Sequence, residues 1–122
     1  MNEKYLLLAG RVGAGKSEMM IAYANQYPET TLILSEESNK IELNQCGLNP
    51  EVAVIEMKQF KTVNLAEYET VCIEYIELFD QDELHTILQT LKSMDKRIIA
   101  ITQMRRTSFA INNVFERSYR HN

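Results

Sequence analysis

Gly10, Gly15, Lys16 and Ser17 occupy the fixed positions of the spacing Gly-x-x-x-x-Gly-Lys-Ser/Thr, inside the stretch LLLAGRVGAGKSEMM at residues 6–20. That spacing belongs to loops whose main-chain N–H groups surround phosphate oxygens. Gly10, Gly13 and Gly15 open dihedrals closed to side-chain-bearing residues, so the amides of Gly10, Arg11, Val12, Gly13, Ala14, Gly15, Lys16 and Ser17 are expected to converge on an anion. Lys16 is expected to reach terminal phosphates, and the Ser17 hydroxyl to hold a magnesium ion bridging them. A helix beginning near Lys16 adds its positive dipole end. The rival reading is a glycine-rich strand-to-helix turn with an incidental lysine; strand, loop, lysine and serine all in register count against it.

The elements that must position this loop are legible around it. Tyr5 to Ala9 reads as a short buried strand and Ser17 to Gln26 as a helix. TTLILSEE at 30–37 is a β-rich run after the turn signal at Pro28. Asn39 with Glu42 marks a helix start, Gly47 its stop, and EVAVIEM at 51–57 the next strand. Asn64 with Glu67 predicts a short helix, and TVCIEYIELF at 70–79 is an apolar run with two interior glutamates. Asp80 with Glu83 opens a helix that places Leu84, Ile87, Leu88, Leu91 and Met94 on one face. KRIIAITQ at 96–103 is the fifth strand. Such alternation predicts an α/β fold, a five-stranded, mostly parallel sheet with helices on both faces.

In that architecture ligands sit at the carboxyl ends of the strands, so those ends are expected to carry polar groups suited to a nucleotide. After the second strand come Ser35, Glu36 and Glu37; at the fourth, Glu74; after the fifth, Thr102 and Gln103. A carboxylate beside a magnesium ion holds its water shell, a second orients an attacking water, and an amide senses the terminal phosphate. Singly, each is also an ordinary solvated residue.

Taken together these segments resemble the RecA-like ATPase core, and within it the replicative-helicase branch of the DnaB type, over residues 4 to about 106. LILSEES resembles that branch's strand ending in Ser-x-Glu; VCIEYIELF its Walker B strand; IIAITQMRR its sensor strand with a nearby arginine. The resemblance implies Glu37, Lys16 and Gln103 as catalytic residues, Ser17 and Glu74 as metal-side residues, ATP and Mg2+ as cofactors, and the strand order 3-2-4-5-1. It also implies an arginine donated by a neighbouring subunit, hence a homo-oligomer. Glu74 departs from the family's aspartate by one methylene. Glu18 stands where a small or hydroxyl residue is common.

Length and composition bound the rest. A chain of 122 residues with 45% hydrophobic residues supports one modest core. Residues 1–104 are read as a nucleotide-binding domain and 105–122 as a basic C-terminal tail or short helix. No run of apolar residues is long enough to cross a membrane, the N-terminal stretch lacks a signal-peptide pattern, and Cys46 and Cys72 read as reduced cytoplasmic thiols. Net charge is −4, yet the last 18 residues hold Arg105, Arg106, Arg117 and Arg120 against Glu116 alone. That asymmetry suits contacts with single-stranded DNA or a replication protein, and equally a solvated terminus. The leading expectation is a minimal Mg-dependent ATPase, an accessory in DNA replication or recombination. A non-hydrolysing nucleotide-dependent binding module is the alternative. A small-molecule or nucleotide kinase is disfavoured because Arg97 is the one arginine between residues 17 and 104.

Overall fold

Short apolar segments, most of them buried along their whole length, build the sheet. In the computed structural model, residues 4–10, 15–36, 40–103 and the backbone of 117–121 are described. The strands are β1 (Tyr5–Gly10), β2 (Thr31–Ser35), β3 (Ala53–Glu56), β4 (Thr70–Ile73), β5 (Arg97–Thr102) and β6 (Arg117–His121), and the α-helices are α1 (Lys16–Gln26), α2 (Lys40–Gln45) and α3 (Gln81–Ser93). All pairings are parallel, in the order β3-β2-β4-β5-β1-β6. The expected order 3-2-4-5-1 is present, and the sixth strand lies outside β1.

Because strand side chains alternate, successive residues of β1, β4 and β5 feed two separate cores. Leu7, Leu34, Ile73 and Ala100 pack with Leu84, Ile87, Leu88 and Leu91 of α3. Leu8, Ile33, Cys72 and Ile101 pack with Met20, Ile21 and Ala24 of α1 and with Leu43 of α2. The sheet is thus covered on both faces and its central strands are fully buried, the condition that favours all-parallel pairing.

Helix ends follow the expected chemistry. The Asp80 carboxylate accepts the Glu83 N–H at 3.0 Å to open α3. Gly47, at φ 100°, closes α2, with the Leu48 N–H donating to the Leu43 carbonyl at 3.0 Å.

Three expectations are corrected. The short helix expected from Asn64 starts there but is a 3₁₀ turn, Leu65–Glu67, and not an α-helix; it follows another 3₁₀ helix, Met57–Thr62, and the two pack Leu65 and Phe60 against the α3-side core. Met94, expected on the buried stripe of α3, is 44% exposed, because the helix stops at Ser93 and Met94 becomes its C-cap. Within 105–122, expected as a tail or short helix, Arg117–His121 instead pair with Leu6 to Gly10 as a parallel strand. The buried strand β1 would otherwise be a sheet edge.

Candidate functional site

In an all-parallel sheet every strand ends on the same rim. Along that rim lie, in order, Ser35 at the end of β2, Glu74 after β4, Thr102 and Gln103 at β5, and Gly10 at β1. The register, Leu34 with Ile73, Ile73 with Ala100 and Ala9 with Thr102, sets Ser35 level with Glu74 and Gly10 level with Gln103, two residues further along β5.

The loop's far end is built as an anion site requires. Gly15 is the N-cap of α1 at φ 87°, a left-handed conformation that side chains oppose. A Cβ there would meet nothing within 4 Å, so the dihedral and not crowding calls for glycine. Gly15 has no side chain to cap the helix, and its carbonyl accepts the Met19 N–H at 3.1 Å. Lys16 is 4% exposed at the first helical position. A buried lysine at the positive end of a helix opposes the dipole, an arrangement that an anion at the same helix start reverses. Glu18, in the same turn, is exposed. Arg11, Val12, Gly13 and Ala14 lie outside the described residues, as does Glu37.

Ser17 follows, half-buried, with its Oγ 3.3 Å from the Tyr75 hydroxyl. Tyr75 stands at φ 55°, ψ 71°, a strained conformation for a non-glycine residue, and caps the 3₁₀ turn Ile76–Leu78. Immediately before it, Glu74 is 8% exposed, and its N–H donates to the Leu34 carbonyl at 2.9 Å, extending the β2–β4 pairing by one residue. A hydroxyl and a carboxylate are hard oxygen donors of the kind Mg2+ takes, so the residues present fit that ion.

At the tip of β5, the Thr102 hydroxyl donates to Glu77 Oε1 at 2.8 Å and the Gln103 N–H to Glu77 Oε2 at 3.2 Å. Glu77 was not singled out from the sequence. Its only signal is a position three residues past Glu74, within the turn that leaves β4.

Other residues fall away from this rim. Arg97 opens β5 at the opposite rim, its guanidinium 6.0 Å from the Tyr23 ring centroid. A cavity of about 660 Å³ there is lined by Lys4, Tyr23, Tyr27, Glu69, Asp95 and Arg97, among others. Lys4 is paired with Asp95, and the Tyr23 hydroxyl lies 3.0 Å from Thr70 Oγ1. Arg105 and Arg106 lie outside the described residues, and Arg117 and Arg120 fall in β6. Among the described residues no helix is long and apolar enough to cross a membrane, and no group of three or more His, Cys, Asp and Glu could hold a metal ion by itself.

The strand order, the two covered faces and the strand–loop–helix unit at β1 define a RecA-like P-loop fold. Among solved structures the chain is similar to the RadB recombinase, with 15% identity and a TM-score of 0.59 over 97% of this chain and 74% of that one. No family model matches the chain, and no curated protein matches it.

Proposed function

We propose that this chain is a minimal RecA-like ATP-binding protein, closest in its motifs to the DnaB type, and a Mg-dependent ATPase serving DNA replication or recombination as an accessory. The observation that carries this reading is the start of α1: a left-handed Gly15 followed by a buried Lys16, on the rim that also holds Ser35, Glu74 and Gln103. The likeness to a recombinase supports the pathway assignment. Ser17 and Glu74 would hold the magnesium ion, whose chemistry is to neutralise charge on the phosphates. Lys16 and the amides of Gly10 to Ser17 bind the phosphates, Glu37 orients the attacking water, and Gln103 senses the terminal phosphate. The protein acts in the cytoplasm, with an assembly of like subunits completing the site through an arginine. Single-stranded DNA or a replication protein docks through residues 105–122.

Arg97, the one arginine between residues 17 and 104, opens β5 on the far rim, which disfavours phosphoryl transfer to a small acceptor. Glu74 in place of aspartate and the exposed Glu18 favour the second reading, a binding module that does not hydrolyse. Calorimetric titration of Mg-ATP into the native chain should give saturable heat that Lys16→Ala abolishes while its circular dichroism stays native. Absence of heat from the native chain overturns the proposal. With single-stranded DNA present, Glu37→Gln should bind ATP but lose turnover; a native chain that binds without turnover selects the module instead.

A further inference from the structure

We propose that Glu77 is a positioning residue that sets where Gln103 stands, and that the turn carrying it couples Ser17 to Gln103, giving the site its preference for ATP over ADP. The inference rests on the ATP-binding reading above and adds to it a residue and a route.

The two oxygens of one carboxylate take donors from consecutive residues, the Thr102 hydroxyl at 2.8 Å and the Gln103 N–H at 3.2 Å. Hydrogen bonds to an ionised acceptor are stronger than neutral ones, and two of them fix orientation as well as distance. The Thr102 side chain is fully buried, so the grip is anchored in the core and not in a mobile surface group. Strand β5 ends at Thr102, and the N–H of the next residue turns to a side chain of the β4 turn. The main chain at Gln103, from which its side chain departs, is therefore held by Glu77.

The same turn holds the other side of the site. Tyr75, two residues before Glu77, places its hydroxyl 3.3 Å from Ser17 Oγ and is held at φ 55°. Four consecutive residues, Glu74 to Glu77, thus include a rim carboxylate, a contact to the phosphate-loop serine and a clamp on the β5 tip. A strained backbone persists only where its surroundings over-determine it, and here the Tyr75 hydroxyl meets Ser17, a group assigned to the nucleotide, while its side chain packs on the α1-side core. A change at Ser17 that moves Tyr75 is transmitted through two peptide units to the residue facing the terminal phosphate.

The test compares Mg-ATP and Mg-ADP affinities by calorimetry for the native chain, Glu77→Ala and Glu77→Gln, with melting temperatures as a fold check. Glu77→Ala should lose about tenfold in its preference for ATP, within the range of ordinary couplings between sites, while Mg-ADP affinity stays within about twofold. Glu77→Gln keeps one acceptor for Thr102 and presents an amide N–H₂ to the Gln103 N–H, so it should recover only part of the preference. It also serves if the alanine variant fails to fold. A native-like preference in Glu77→Ala overturns the inference and leaves ATP binding standing. So does a parallel fall in both affinities, the signature of a general brace, or a native chain that binds both nucleotides equally. A native chain that binds neither overturns the ATP reading itself and this inference with it.

Discussion

Cys72 lies mid-strand in β4, wholly buried beneath α1 and α2, and burial pushes its thiol up from the ordinary 9.0 to about 12. The folded chain therefore holds this proton more tightly than the unfolded one. Its contribution is fully present below pH 9.0 and is lost as pH rises toward about 12, amounting to about 4 kcal/mol at most over that interval. Urea midpoints measured from neutral pH to about pH 10.5 should fall more steeply for the native chain than for Cys72→Ala. A thiol reagent at neutral pH should label Cys46, which is exposed, and reach Cys72 only on unfolding. At the same scale, Gly15→Ala must force an L residue to φ 87° at a cost of about 1–2 kcal/mol, and should weaken Mg-ATP binding together with the melting temperature. The strand ending at Gly10 and the helix starting at Lys16 after a left-handed Gly15 were legible in the sequence because they depend on near-neighbour spacing. The hydroxyl of Tyr75 on Ser17 and the carboxylate of Glu77 on Gln103 were not: these contacts span 58 and 26 residues and depend on a left-handed tyrosine that no local pattern announces.

Among the elements, α3 is the one most plainly written in the chain. Leu84, Ile87, Leu88 and Leu91 recur at helical spacing and all are buried, and the Asp80 cap is where the Asp-x-x-Glu signal put it. Asp80→Ala should cost about 1 kcal/mol, and Leu88→Ala, at a fully buried position, about 2–5 kcal/mol, both read from denaturant midpoints at unchanged slope. The apolar run at 70–79 was less legible. Only Thr70–Ile73 is strand, and Phe79 is buried from a turn, because side chains on a 3₁₀ turn enter the same core that a strand would feed. β6 carried no readable signal: RSYRH has no period-2 apolar alternation, and its place comes from the unpaired side of β1.

For the molecule as a whole, the alternation of elements announced a parallel sheet with helical cover, and the order of its first five strands came from the resemblance to the RecA-like core. The chemistry does not follow from the fold in the same way, and at 15% identity the RadB recombinase is a guide to architecture. Deleting residues 105–122 should expose β1, buried from Tyr5 to Ala9, as a free edge. Light scattering should then detect aggregates of the shortened chain larger than any assembly the full chain forms at the same concentration. The register of β6 has a practical corollary. His121 is level with Gly10 while Tyr5 opens β1 at the far rim, so an affinity handle appended beyond the last strand emerges beside the phosphate loop. One placed ahead of Met1 is fused to the end of the chain that leads into the far rim, and purification tags for binding work belong there.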